Sequence, residues 1–352
     1  MAYHLWDGFD DYDLAHELWP VIGGTPQYSS AYARFPAAAN CVAQGLHITS
    51  GSSQKKTWNM ASSQARMLFT FSVLFENFGT SSYNGFLQFA NTGNITGALG
   101  VSAAGALGLL NATSQTVVLV GSASGVVAPG NYYSFDVDIT IGAGSGAIKV
   151  YLNTPFGGLP LFSATGLSNL GFSGIAAMNQ FTIGDVNGGL GLRFDDFHAM
   201  DPTGVAPNNI LGAGTRIYTK MPIAPGALSN WTPTGAPANW DCVNDAPPDD
   251  DTTYVLAGSS VEDNYGVGSA GIGGSNSVNG IVRRSRMRMD DAGPHTFQNG
   301  VRSNGVDQLG AIASVASTYS YADSCSIIDP NTGRAWTPAA ADLATPIIYR
   351  TT

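Results

Sequence analysis

One acidic stretch, NDAPPDDDTTYV (244–255), has the residue types either to bind a metal ion or to form a bend. Its carboxylates are oxygen donors of the kind that Ca²⁺ takes, and Asp245, Asp249 and Asp251 are the candidate ligands. The spacing lacks the alternating donors, central glycine and terminal glutamate of an EF-hand loop. Two prolines hold the chain extended before the aspartates break it. We therefore predict a bend that leads into a strand, with bound Ca²⁺ as the alternative.

A run of arginines, RRSRMR (283–288), stands out in an acidic chain. Successive side chains of a strand point to opposite faces, so Arg284, Arg286 and Arg288 share one face if this run is a strand. Arginine forms bidentate pairs with carboxylates and favours interfaces. We expect these three residues at an interface with a neighbouring subunit. A solvated strand and an anion-binding site are the alternatives.

Two similar segments near the ends of the first half of the chain, WDGFDDYD (6–13) and LRFDDFHAMD (192–201), carry paired carboxylates. Such pairs do acid–base chemistry only where their environments separate their pKa values. We expect instead that the aspartates cap turns or face solvent beside Arg34 and Arg193, and that the two segments pair as first and last strands. The carboxylates concerned are Asp10, Asp11, Asp195 and Asp196.

Other catalytic patterns are absent from the sequence. The five histidines lack HExxH and HxH spacing, and no GxSxG elbow is present. A retaining glycosidase needs two carboxylates about 5 Å apart, whereas Glu17 and Glu76 each stand alone. We therefore expect no catalytic residues and no enzymatic activity.

The elements that position these residues are strands. In 132–141, five apolar residues alternate with four polar ones, the pattern of a half-buried strand. Residues 146–153 alternate in the same way, and the glycine-rich stretch between the two segments predicts a hairpin. Charged residues make up only 11% of the chain, which leaves few ingredients for amphipathic helices. The sequence predicts an all-β protein.

Composition shifts divide the chain into two predicted β-sandwich domains. Residues 1–202 form the first, a Pro- and Gly-rich connection covers 203–215, and 216–352 form the second. TPAAADLA (337–344) is the one short helix expected, because a Thr-Pro start precedes good helix formers.

Charge and apolar patterning exclude several partners. A net charge of −10 opposes nucleic-acid binding, which needs a basic footprint. No run approaches the roughly 18 apolar residues of a membrane span, and the N-terminal residues lack a signal-peptide pattern. We expect no membrane insertion and synthesis in the cytoplasm.

Cysteine and tryptophan positions leave two points open. The three cysteines form no CxxC pair, and a bridge between Cys242 and Cys325 remains an alternative. Trp231, Trp240 and Trp336 are expected to pin loops to a core, with stacking on sugars as the alternative.

The second domain resembles a module of tailed-bacteriophage virion proteins. The resemblance rests on NWTPTGAPANWDCVNDAPPDDDTTYV (230–255) followed by IIDPNTGRAWTPAAADL (327–343). Asp245-Ala246 departs from the pattern, which more usually carries Asp-Glu. In such proteins a laminin-G-like (concanavalin-A-like) jelly roll ending in DDF commonly precedes the module, and Phe194–Phe197 look similar. The matching module residues are Trp231, Asn239, Pro247, Pro248, Asp249, Asp251, Thr252, Tyr254, Val255, Asp329, Pro330, Thr332, Gly333, Trp336 and Thr337.

The resemblance implies a structural component of a phage virion, assembled in the host bacterial cytoplasm without a cofactor. A tail, baseplate or fibre position is expected, where the jelly roll can face a host-surface glycan. A capsid decoration or head-fibre protein is the alternative. A carbohydrate-binding or carbohydrate-active jelly-roll protein is the second alternative. The expected partners are other virion proteins and further copies of the same chain.

Overall fold

The computed structural model describes residues 3–10, 18–19, 21–22, 26–35, 41–50, 54–80, 82–111, 117–142, 144–167, 176–204 and 207–351. Strands dominate this part of the chain, and its single α-helix has six residues. None of the described helices is long and apolar enough to cross a membrane. The prediction of an all-β fold is confirmed. The chain divides into two compact units, with the main boundary between Ile217 and Tyr218.

Most of the described strands up to Met200 belong to the first unit. They are β1 (Tyr3–Asp7), β2 (Val21–Ile22), β3 (Gln27–Ser29), β4 (Cys41–Val42), β5 (Gly45–Ile48), β6 (Lys55–Gln64), β7 (Arg66–Asn77), β8 (Asn84–Asn91), β9 (Asn94–Val101), β10 (Leu107–Leu110), β11 (Val117–Val120), β12 (Tyr132–Thr140), β13 (Gly146–Leu152), β14 (Phe162–Leu167), β15 (Met178–Gly184) and β16 (Gly191–Met200). Of these, β4 groups with the second unit. A 3₁₀ turn covers Ser30–Tyr32.

Two antiparallel sheets form the first unit. An eight-stranded sheet has the order β14-β13-β12-β7-β16-β5-β3, with β1 also pairing with β16. A seven-stranded sheet has the order β11-β10-β9-β8-β15-β6-β2. Trp6 of β1 lies opposite His198 of β16, so the predicted pairing of the first and last strands is confirmed.

Alternation along the strands builds the core between the two sheets. In β7, Phe69, Phe71 and Phe75 are fully buried and point toward the seven-stranded sheet, where the Phe69 ring lies 5.2 Å from that of Phe181. The intervening Thr70 is on the opposite, polar face of the strand. This period of two is the pattern on which the strand prediction rested.

The second unit contains the remaining elements. They are β17 (Thr219–Lys220), β18 (Pro222–Ser229), β19 (Thr232–Thr234), β20 (Tyr254–Leu256), β21 (Glu262–Val267), β22 (Ile281–Met287), β23 (Thr296–Ser303), β24 (Val306–Leu309), β25 (Ala313–Ser314), β26 (Ser320–Ser326), β27 (Ile328–Asp329), β28 (Arg334–Ala335), α1 (Pro338–Leu343) and β29 (Thr345–Arg350), with a 3₁₀ turn at Asn239–Cys242. Thr337 caps α1 through a 3.2 Å bond from the Ala340 N–H, so the predicted helix is confirmed.

Sheets of the second unit are small. A six-stranded sheet has the order β18-β21-β29-β23-β24, with β25 also on β23, and β22 pairs with β26. Tyr265, Phe297 and Ile348 form one core cluster, and Val301 and Trp336 belong to another. These clusters position the strands on which the candidate residues lie.

The predicted connection is hydrogen-bonded to the first unit along its second half. Gly212 N–H donates to the Asp136 carboxylate at 3.2 Å, and Ala213 N–H donates to the Thr154 carbonyl at 2.8 Å. Because a buried carboxylate and a backbone carbonyl of the first unit accept these bonds, Gly212 and Ala213 are fixed to the first unit.

Candidate functional sites

Most of the arginine run lies in β22, whose register places Arg284 and Arg286 on one face and Arg283 on the other. Arg284 lies opposite Asp323 on β26, and the two form a bidentate pair at 3.0 and 3.1 Å. Arg286 forms a second bidentate pair, at 2.6 and 2.8 Å, with Asp250 of the acidic stretch. Two fork-shaped arginine side chains are therefore engaged by carboxylates of the same chain.

The third arginine extends this row. Arg288 Nη2 lies 2.7 Å from Asp251 Oδ1, which also accepts a 2.8 Å bond from the Tyr319 hydroxyl. The guanidinium of Arg286 lies 5.2 Å from the ring centres of both Tyr319 and Tyr321, within cation–π range. We call Arg284, Arg286 and Arg288 with their aspartate and tyrosine partners the arginine seam.

Electrostatics within the seam follow from these contacts. Hydrogen bonds from Arg288 and then Tyr319 lower the pKa of Asp251. Burial, followed by the bond to Asp251, raises the pKa of Tyr319 to about 12. The expected shared face of the arginines is confirmed, and their role at a subunit interface stays a prediction.

The acidic stretch forms a bend, as predicted. Thr252 N–H donates to the Asp249 carbonyl at 3.2 Å, and Thr253 N–H donates to the Asp249 carboxylate at 3.1 Å. The Thr253 hydroxyl lies 2.9 Å from Asp245 and 3.0 Å from Asp249. The aspartates thus bind the backbone and hydroxyl that follow them.

The three candidate Ca²⁺ ligands do not share one partner. Asp245 and Asp249 converge on Thr253, whereas Asp251 points to Arg288. Across the described ranges, no group of three or more His, Cys, Asp or Glu side chains could hold a metal ion. The three candidate ligands named for the Ca²⁺ alternative are therefore not brought together around one point.

Asp195 and Asp196 lie together at a bulge of β16, where Asp196 takes a positive φ of 52°. The Asp195 carboxylate accepts the Arg34 N–H at 2.6 Å, and that of Asp196 accepts the Ile217 N–H at 2.8 Å. Burial raises both pKa values, that of Asp196 to about 6. The pair anchors two backbone segments, and both carboxylates are buried, so the alternative that they face solvent is wrong.

The remaining members of the proposed carboxylate set are Asp10 and Asp11. Asp10 groups with the second unit and accepts a 2.6 Å bond from the Thr219 hydroxyl. Asp11 lies outside the described residues, as does Glu17.

A network on the eight-stranded sheet was missed by the sequence analysis. Glu76, expected to be isolated, lies 3.0 Å from His47 Nε2 and 2.8 Å from Arg193 Nε. The centre of the Tyr32 ring lies 4.4 Å from that of the His47 ring, and the two ring planes are tilted by 37°. Burial raises the pKa of Glu76, but the hydrogen bonds from His47 and Arg193 outweigh it and lower the pKa overall. A carboxylate held ionised in this way is a poor general acid.

The three tryptophans singled out in the sequence pack against core clusters of the second unit. Trp231 donates its indole N–H to the Val261 carbonyl at 3.1 Å, and the buried Trp336 donates to the Ser326 carbonyl at 3.0 Å. Both pin loops, as expected. Trp240 also packs against a core cluster, that of Tyr265, Phe297 and Ile348, as expected. In addition it lines a cleft of about 200 Å³, whose other lining residues are uncharged: Pro225, Ser229, Pro237, Ala238, Asn239, Asn264 and Tyr265.

No disulfide joins Cys242 to Cys325, so the alternative of a bridge between them is wrong. Cys242 Sγ lies 3.3 Å from the Thr234 carbonyl. Burial, with a smaller contribution from Asp323, raises the pKa of Cys325 to about 12. The Cys325 thiol is therefore protonated at neutral pH.

Comparisons with known proteins found distant matches among solved structures. No protein-family model and no curated protein sequence matches the chain. Among solved structures, the cellulose-induced protein Cip1 is similar over 60% of this chain and 100% of its own, at 13% identity and a TM-score of 0.40. Arcelin-5, a lectin-like defense protein from Phaseolus vulgaris, is similar over 56% and 98%, at 9% identity and a TM-score of 0.36. The alginate lyase vAL-1 from a Chlorella virus is similar over 52% of this chain and 93% of its own, at 8% identity and a TM-score of 0.34. Such distant similarity says nothing about activity or ligand.

Proposed function

We propose that this chain is a structural component of a tailed-phage virion, present in several copies and associated with the tail, baseplate or fibres. The proposal starts from the resemblance of the second domain to a phage module. One structural observation supports it: residues that carry the resemblance make hydrogen bonds that hold the second unit together.

Two residues illustrate this role. Asn239 donates both N–H groups, to the Trp231 carbonyl and to the buried Asp263 carboxylate, each at 2.8 Å. The Asp329 carboxylate accepts the Asn331 N–H and the Thr332 hydroxyl, each at 3.0 Å, and so closes a turn. A motif used in this way specifies a fold, as expected of a building module.

The proposal is tested by cryo-electron microscopy of intact particles from the source of this sequence. We expect density for this chain on the tail or baseplate, with the first unit accessible from outside. Density on the shell would replace this position with capsid decoration. Absence of the chain from purified particles, checked by mass spectrometry, would overturn the virion assignment.

A second candidate function, carbohydrate binding, is favoured by the Trp240 cleft. Its aromatic wall and uncharged lining suit a neutral sugar ring, which presents an apolar face and hydroxyl groups. We expect glucose, galactose or N-acetylglucosamine to change the tryptophan fluorescence of wild type but not of Trp240→Ala. A matched control, Trp231→Phe, should keep the response. Release of oligosaccharides from host polysaccharide would instead show a carbohydrate-active enzyme.

A further inference from the structure

Exposed apolar side chains of the first unit gather at one place. Among its described residues, four large apolar side chains are exposed: Val120 by 62%, Phe156 by 65%, Leu159 by 86% and Leu161 by 38%. Three follow one another in the loop before β14, and the fourth ends β11. We call these four residues the apolar edge. Scattered exposed apolar residues are normal, but a cluster marks an interaction surface.

Contacts within the first unit connect the two parts of the apolar edge and hold its backbone in place. The Phe162 ring sits against Gly121, where a Cβ would meet its carbon atoms at 2.5 Å, so the end of β11 contacts the start of β14. Leu161 N–H donates to the Val150 carbonyl at 2.7 Å. Gly212 packs against the backbone of Phe156 and has a positive φ of 88°. The exposed side chains therefore project from a fixed frame.

The apolar edge also lies beside the terminal strands of the two sheets. In the described part of the chain, β14 is the last strand of the eight-stranded sheet, and β11 is the last strand of the seven-stranded sheet. A terminal strand carries backbone N–H and C=O groups along its outer side that are able to pair with another strand. The apolar edge therefore lies where both sheets can be extended.

Charge distribution indicates what could dock there. No Asp, Glu, Lys, Arg or His occurs in residues 77–135 or 150–184, although the chain carries a net charge of −10. These two ranges contain β11, β14 and the whole apolar edge. Two copies of an acidic chain repel one another over most of their surfaces, but at this edge they can meet without contacts between like charges.

We propose that the apolar edge is a self-association surface and that its partner is a second copy of this chain. Two copies related by a two-fold axis place the same residues against each other, so Leu159 and Phe156 of each copy bury against the other. This contact deepens the multi-copy part of the proposed function, but it does not depend on where the protein sits on a particle.

The test is the molar mass of the purified full chain, measured by sedimentation velocity over a hundredfold range of concentration. We expect wild type to shift from monomer to dimer as concentration rises. Leu159→Asp and Phe156→Asp should each weaken the dimer at least about tenfold, because each removes an apolar anchor and introduces like charges. Leu343→Asp is the matched control, since Leu343 is 79% exposed but lies on α1 of the second unit.

Thermal melts of all variants check that these exposed substitutions leave the fold intact. A wild type that stays monomeric throughout would overturn the proposal, as would a dimer that Leu159→Asp and Phe156→Asp leave unchanged. Either outcome would leave the virion assignment standing, because that assignment is decided by the particle measurement.

Discussion

The pair between Arg286 and Asp250 gives a sharp test of what the arginine seam does. Its two bonds, at 2.6 and 2.8 Å, join side chains that are only 14% and 25% exposed. Exposed pairs contribute about 0.2–1 kcal/mol, and breaking a buried pair costs about 3–5 kcal/mol. This pair lies between these limits, so Arg286→Asp should lower the free energy of unfolding by about 2 kcal/mol.

Thermal melts measure this loss. For a domain of this size, about 2 kcal/mol corresponds to a fall in Tm of roughly 4–8 °C. The double variant Arg286→Asp with Asp250→Arg restores opposite charges and should recover at least about half of the loss. The matched control is Arg66→Asp, because Arg66 forms a bidentate pair with Asp138 at 2.8 Å but is 46% exposed. It should lose less than about 1 kcal/mol.

The swap also separates the in-chain role from an interface role. If Arg286 works within the chain, the swapped variant should recover at least about half of the lost stability and assemble like wild type. If Arg286 instead contacts a neighbouring subunit, the swapped variant should melt normally and assemble poorly. An Arg286→Asp variant with an unchanged Tm would refute the reasoning from the in-chain pair.

Three further predictions follow from buried or capping groups. Burial raises the pKa of Asp196 to about 6, so stability gained by its protonation is present at low pH and is lost as pH rises through this value. Urea unfolding should therefore show wild type gaining about 1 kcal/mol relative to Asp196→Asn between pH 7 and pH 5, and an equal response of both proteins would contradict the shift. Cys325, whose pKa burial raises to about 12, should resist iodoacetamide at pH 8 until urea unfolds the chain, as followed by mass spectrometry. Thr337→Ala should cost about 1 kcal/mol in thermal melts through loss of the α1 cap, whereas Thr337→Ser should cost less.

Strand faces were accessible from the sequence because they depend on local periodicity. The alternation in 132–141 predicted β12 with Phe135 inside and Asp136 on the other face, and both side chains occupy those faces. The cap of α1 was likewise a local signal. The register of one strand against a distant one has no such signal, since it is decided by packing across the whole sheet.

The acidic stretch and the arginine run show that the sequence does not reveal which distant residues pair. Each was recognised as unusual, yet Asp250 and Arg286 are 36 positions apart and nothing local pairs them. Glu76 and Arg193 are separated by 117 positions, and only the pairing of β7 with β16 brings them together. Residue types therefore predicted which groups needed partners, but only the fold shows which partners they have.

The anchored segment that ends at Ile217 has a mechanical consequence. Tension applied to the chain beyond Ile217 first loads the bond from its N–H to Asp196. The next contacts to bear load are that of the Arg216 guanidinium, 3.9 Å from the Phe35 ring centre, and then the bonds of Ala213 and Gly212. The β16 ladder, whose many bonds share a load, is strained only after these have failed. A pull on this end of the first unit therefore releases the segment that ends at Ile217 before it breaks hydrogen bonds of the sheet.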